Sequence, residues 1–193
     1  MLRRNSRSLI LLCAVAACNE QLATERGRTE GLVHDPPPGT ATITGSLAGN
    51  VFVSLSADGT TWVDLGSPNG ITIPLQSATP TTVHGEQDAP AGSYNRVRLA
   101  FDGVVARLKS GSVVGGTTLT SDVDLPLGGA DQRVELVVPV PAFDVVVDPA
   151  SRRTLLFELR SHFWLTAAAL QAGTVTDAAL QGAVLATTRL DPR

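Results

Sequence analysis

Apolar and polar residues alternate with a period of two along most of this chain. Val134, Leu136, Val138 and Val140 fall on one face of a run whose other face carries Arg133 and Glu135. Leu155, Phe157, Leu159, Phe163 and Leu165 alternate with Glu158, Arg160, His162 and Trp164, which predicts one long strand. Ile71, Ile73 and Leu75 predict a shorter one. Pro139 and Pro141 suit an edge strand, because proline offers no ladder donor.

Turn residues punctuate these runs. Asp58-Gly59, Asn69-Gly70 and Asp102-Gly103 tolerate the positive φ of tight hairpins, and Gly115-Gly116 and Gly128-Gly129 mark further turns. In YNRVRLAF-DG-VVARLK, a two-residue loop at Asp102-Gly103 pairs Phe101 with Val104, Leu99 with Ala106 and Val97 with Leu108. Around Asp58-Gly59 a longer loop through Thr60 sets Leu55 against Val63 and Val53 against Leu65, and leaves Asp64 on the polar face. Many short half-buried strands with regular turns predict an all-β fold, a single antiparallel β-sandwich. The tail, residues 174–190, reads two ways: a short helix capped near Thr176 or Asp177, or a closing strand interrupted at Gly182. The all-β context favours the strand.

The first 39 residues break the alternation. MLRRNSRS carries Arg3, Arg4 and Arg7 without an acid, and an apolar run from Leu9 to Ala17 follows. A membrane-spanning helix needs about 20 apolar residues, so this run reads as an export signal over residues 1–17. Val15-Ala16-Ala17-Cys18 resembles the lipobox of bacterial lipoproteins. The resemblance implies that Cys18 takes a diacylglyceryl group on its sulfur, that cleavage precedes it, and that the new amine is acylated. Two or more acyl chains give stable anchoring where one is marginal. Ala14-Val15-Ala16 also fits ordinary signal cleavage, which would release a secreted protein. Residues 18–39 are charged, lack apolar periodicity and end in Pro36-Pro38, so they predict a tether, with His34 solvated within it. The sandwich domain then spans 40–193, long enough to bury a core without cross-links.

Removing Arg3, Arg4 and Arg7 from 15 basic residues, against 18 acidic, takes the net charge from −3 to about −6. Such a chain has no bulk attraction for nucleic acid, and its one lysine is Lys109. Cys13 leaves with the signal and Cys18 carries lipid, so the mature domain holds no thiol for a disulfide, a redox pair or a thiolate metal site.

Ala91-Gly92-Ser93-Tyr94-Asn95-Arg96-Val97-Arg98-Leu99, preceded by Trp62 and the strand ending at Leu75, resembles the Ala-Gly-x-Tyr-x-x-Ile/Val-Arg-Leu signature of a family of bacterial lipoprotein β-sandwich domains of unknown function. The resemblance covers about residues 41–165. It implies an envelope location and a sandwich fold, and it carries over no catalytic residue.

Candidate chemistry is sparse. On the predicted hairpin Arg98 faces Arg107 and Arg96 faces Lys109, so four cations share one face. Carboxylates on neighbouring strands, Glu135 and Glu158 foremost, would offset them, or an anionic glycan or lipid headgroup would. Asp122 and Asp124, with Asp131 beyond a glycine turn, are spaced carboxylates of the kind that hold calcium, without the EF-hand spacing. His84 to Asp88 reads as a loop with weak metal-ligand character, and His162 as a surface residue. The nucleophile-elbow, zincin and P-loop motifs are absent. The expectation is a non-catalytic lipoprotein without cofactor or metal. Its partners are the bilayer through acylated Cys18 and an envelope glycan or protein. Asn19, in place of the Asp that marks inner-membrane retention, points to the outer membrane. Two rivals stand beside it: a carbohydrate-binding module using the cations or exposed Trp62 and Trp164, and a hydrolase that assembles His84 or His162 beside a serine.

Overall fold

A computed structural model describes residues 25–66, 69–129 and 131–192. The signal, Cys18 and the first part of the tether therefore lie outside the described residues. The first strands are β1 (Arg26–Asp35), β2 (Gly45–Ser56), β3 (Val63–Asp64), β4 (Asn69–Pro74) and β5 (Ser77–Pro90). Next come β6 (Gly92–Leu108), β7 (Val113–Val114), β8 (Thr117–Thr118) and β9 (Val123–Pro126). The chain ends with β10 (Arg133–Val145), β11 (Ser151–Glu158), helices α1 (Ala167–Ala172) and α2 (Asp177–Gln181), and β12 (Leu185–Pro192). Among the described residues, no helix is long and apolar enough to cross a membrane.

Two sheets pack face to face as a sandwich. One has the order β12-β11-β1-β5. The other has the order β10-β6-β2-β3, with β4 extending the edge of β2 and β9 the edge of β6. The expected alternation holds in the second sheet: Val97, Leu99, Phe101, Val104, Ala106, Leu108, Val134 and Leu136 are all buried. Pairing is antiparallel except for β1 beside β11, which is parallel. β10 forms an edge, as its prolines require, with a register break between Pro139 and Phe143. Gly115 and Gly116 close the β7–β8 hairpin with positive φ at both positions.

The first correction concerns the hairpin at Asp102-Gly103. β6 runs unbroken from Gly92 to Leu108. From Arg96 to Leu108 it pairs with β2, from Ser56 against Arg96 to Gly45 against Leu108, and the register shifts between Ala48 and Asn50. Gly103, at φ 61, sits in that irregularity and donates its N–H to the Gln132 carbonyl at 2.8 Å. A bulge and a two-residue turn leave the same trace in a sequence: each inserts residues that keep Phe101 and Val104 on one face. The other edge of β6 decides between them, since it is taken by β10 up to Asp102 and by β9 from Val105.

The second correction concerns the tether. Arg26–Asp35 is a strand in the middle of its sheet, between β11 and β5. Its inward residues are Gly27, Thr29, Gly31, Val33 and Asp35, all buried. They alternate by size, and only Val33 is a large apolar residue. Gly31 lies where a methyl would press on the His84 side chain and the Val53 methyl of the facing sheet. His34 is half-buried in the strand, not in a solvated linker. Likewise Asn69-Gly70 belongs to β4 and His84–Asp88 to β5, neither of them a loop.

The Ala-Gly-x-Tyr segment is the corner where the chain leaves β5 in one sheet for β6 in the other. Tyr94 is buried and its hydroxyl donates to the Pro90 carbonyl at 2.8 Å. That is the bond of a tyrosine corner, which fixes the crossover angle. The long strand expected over 155–165 stops at Glu158. Arg160 takes left-handed φ 49 and a 3-10 turn spans Ser161–Phe163. The turn reverses the alternation: Trp164 is fully buried, with its indole N–H on the Leu159 carbonyl at 2.9 Å, and Phe163 is 56% exposed. The tail combines both readings. Thr176 caps α2, and β12 follows Gly182.

A chain cut to begin at Thr40 lacks β1 and leaves β11 and β5 with bare edges across an empty slot. It should aggregate or lose cooperative unfolding, whereas a chain beginning at Glu25 should keep a single urea transition.

Candidate functional site

The four expected cations divide into two pairs at opposite halves of β6. Arg98 and Arg107 are separated by about 30 Å of strand rather than facing each other. The cluster with the most structure surrounds Arg98, on the outward face of the second sheet. Arg98 lies across from Ser54 on β2 and Val137 on β10. Its Nη2 donates to Ser54 Oγ and to Asp64 Oδ1, both at 3.1 Å, and its Nη1 to Glu135 Oε2 at 3.4 Å. The Ser54 hydroxyl donates to the same Asp64 oxygen at 2.7 Å, and Arg133 holds the other Glu135 oxygen at 2.7 Å. The Trp62 ring stacks on the guanidinium, with the cation 4.7 Å from the ring centroid.

The result is a polar ladder over β3, β2, β6 and β10. The β2–β3 connection places its members. Leu55 pairs with Val63, and the Leu65 N–H reaches the Val53 carbonyl at 2.9 Å, the register expected from the alternation. That register turns Asp64 outward beside Ser54. The intervening loop is held by Asp58, whose carboxylate accepts from the N–H groups of Thr60 and Thr61 at 2.8 Å each. These bonds, Thr61 first, lower its pKa well below the usual carboxylate range. Glu135 is one of the two expected neutralising acids. Glu158 is not, since it lies on β11 in the other sheet.

The remaining cations differ in surroundings. Arg96 donates to Asn95 Oδ1 at 2.8 Å and packs beneath the Gly59 backbone. Arg107 is exposed, between Ser46 and Asp124 on the flanking strands. Lys109 holds Asp122 at 2.8 Å, and the Ser110 N–H takes the other oxygen of that carboxylate at 2.9 Å. Lys109 is raised in pKa by the bond to Asp122, and Asp122 is lowered by the same bond. The carboxylate suggested for calcium is therefore already engaged. Among the described residues no three His, Cys, Asp or Glu side chains gather as a metal site requires.

His84 is buried, and its Nε2 lies 3.2 Å from the Thr29 hydroxyl. That hydroxyl donates to the Gln87 carbonyl at 3.3 Å, so the network assigns the imidazole proton to Nε2. Burial pushes the His84 pKa down to about 4. His162 sits on the 3-10 turn with its ring 4.2 Å from that of Phe163. Clefts open on the surface at two places among the described residues. One is lined by Phe143, Asp144, Arg153 and Thr188 among others, the second by Arg107, Lys109, Asp122 and Asp124 with Leu108. Neither is lined by a histidine or a serine. Trp164 is buried, and Trp62 lies against Arg98. The comparisons bring no relative to this geometry: no family model, curated protein or solved structure matches the chain.

Replacing Arg98 by Ala removes the cation that Ser54, Asp64 and Glu135 share and should cost roughly 1–2 kcal/mol in urea denaturation. Arg107→Ala should change stability by no more than about 0.5 kcal/mol. Equal effects of the two would contradict the ladder.

His84 also predicts a pH dependence. Its folded pKa lies below the unfolded value, so between pH 6.5 and about 4 the unfolded chain binds a proton that the folded one refuses. Its stabilising contribution is complete above pH 6.5 and is lost as pH falls, on the order of 2–3 kcal/mol in all. His84→Gln should flatten the stability curve across that window, measured by denaturant midpoints at successive pH values.

Proposed function

We propose that this protein is an exported lipoprotein, anchored through acylated Cys18, whose β-sandwich serves as a structural or binding module of the bacterial envelope without catalysing a reaction. The observation that carries the reading is the basic, apolar and small-residue order ending at Cys18. The fold is compatible with export, since a core of this size is built without a thiol. The tyrosine corner gives the Ala-Gly-x-Tyr signature a structural purpose, which supports kinship with the sandwich domains it resembles.

The fold also alters the reach of the anchor. Ala91 N–H already bonds to the Glu25 carbonyl at 2.9 Å, so the chain joins the sandwich at Glu25. Six residues lie between Cys18 and Glu25, and the seven steps between the two span at most about 25 Å when extended. The module is held against its membrane on a short leash, which suits an element of the envelope surface better than a long-reaching receptor. The ladder around Arg98 is internally neutralised, and it serves the sheet as a stabilising surface.

Expressed in a bacterial host, the native chain should partition into detergent and show by mass spectrometry a mature amino terminus at acylated Cys18. Cys18→Ser should abolish acylation and accumulate precursor. An unmodified, soluble native protein would overturn the reading.

A further inference from the structure

The end of the sandwich where the anchor enters also carries an apolar loop. Residues 146–150 join β10 to β11, and all five are exposed. Val146 is 41% and Val147 55% exposed, followed by Asp148, Pro149 and Ala150. The loop is held in shape from within. Asp148 N–H bonds to the Val146 carbonyl at 3.0 Å, Ser151 N–H to the Asp148 carbonyl at 3.2 Å, and Ala150 N–H to Asp148 Oδ1 at 2.8 Å. Two adjacent β-branched apolar side chains are thus presented to the outside on a preformed turn.

The loop lies directly on the first residues of β1. A methyl at Gly27 would collide with the Val146 carbonyl oxygen and the Val145 side chain, so only glycine permits this approach. Gly27 is two residues from Glu25, where the leash to Cys18 begins. With at most about 25 Å of extended chain between Glu25 and Cys18, this end of the molecule stays near the bilayer.

We propose that the Val146–Val147 turn seats in the headgroup layer of the bilayer that holds the acyl chains, so that the protein touches its membrane at a second, apolar point. The proposal rests on the lipoprotein reading above. Charge does not drive the contact among the described residues, because the cations they place at this end are engaged, Arg189 with Asp191 included. Arg28 pairs with Asp88 and Arg152 with Glu30. Arg153 donates to the Asp144 carbonyl, and Arg26 to that of Asp88. Glu25, Asp144 and Asp148 are exposed alongside them. The contact should therefore persist at high salt and in vesicles without anionic lipid. An apolar turn beside acyl chains would set the orientation of the domain, with the opposite end, where β12 begins at Leu185, turned away from the membrane.

The mature domain has no other thiol, so a cysteine introduced at one position can carry a single fluorescent reporter. Lipidated full chain with Val147→Cys would be labelled with an environment-sensitive dye and reconstituted in phosphatidylethanolamine–phosphatidylglycerol vesicles. The same would be done with Leu185→Cys at the far end. The expected result is a blue shift at 147, quenching by a lipid-phase quencher and protection from iodide, with the reverse at 185. With the reporter moved to Val146→Cys, adding Val147→Asp should abolish the lipid-phase quenching while circular dichroism stays unchanged. A reporter at 147 that is as open to iodide as the one at 185, on protein with intact acylation, overturns this proposal alone. So does burial of 147 without lipid-phase quenching, which would mean that a second copy of the chain covers the turn. An unacylated Cys18 overturns the proposal and the lipoprotein reading together.

Discussion

The structure depends on one buried carboxylate. Asp35, at the end of β1, is fully buried, and its two oxygens accept from the Gln76 N–H at 2.7 Å and the Ser161 N–H at 2.8 Å. Gln76 passes the connection on, since its side-chain oxygen accepts from the N–H groups of Thr42 and Ile43. One acid and one amide thus tie together the end of β1, the β4–β5 junction, the 3-10 turn after β11 and the chain entering β2. A carboxylate withdrawn from water is tolerated only when its oxygens are bonded, so these segments are held together or not at all.

The clamp is what makes a strand of a segment that looks like a leader. On its inward face β1 brings only Val33 as a large apolar side chain, too little to hold itself in a sheet by hydrophobic burial. It is held instead by backbone pairing on both edges, by close approach at Gly27 and Gly31, and by Asp35 at its end. On the proposed lipoprotein reading a functional consequence follows. Counted to Thr40, a leash from an acylated Cys18 would let the domain sample a wide volume. Counted to Glu25, it would keep one end of the sandwich beside the membrane. The same count would then decide which surface meets lipid and which faces outward.

The outward face of the second sheet shows a different economy of charge. Arg98 on a central strand is flanked by carboxylates from either side, so a cation placed on a sheet interior is neutralised locally. Glu135 was readable as a partner because it alternates with core valines and leucines on its own strand. Asp64 was readable as outward-facing from the register around Asp58-Gly59. That both would converge on Arg98, and that Trp62 would stack on it, required the strand order β3-β2-β6-β10. Glu158 alternates just as clearly, yet the chain carries it to the other sheet.

The sequence by itself determined the class of fold, the inward faces of β2, β6, β10 and β11 and the outward place of Asp64, because side-chain alternation is a local property of extended backbone. It also determined that the core is built without thiols. It did not determine whether Asp102-Gly103 turns the chain or bulges it, since both preserve the facing of Phe101 and Val104. Nor did it reveal β1, whose inward residues are small rather than apolar, or the break at Arg160 that buries Trp164 and exposes Phe163. These were decided by tertiary structure: strand partners distant in sequence, and the room left between two sheets, choose among backbone paths that are equally good locally.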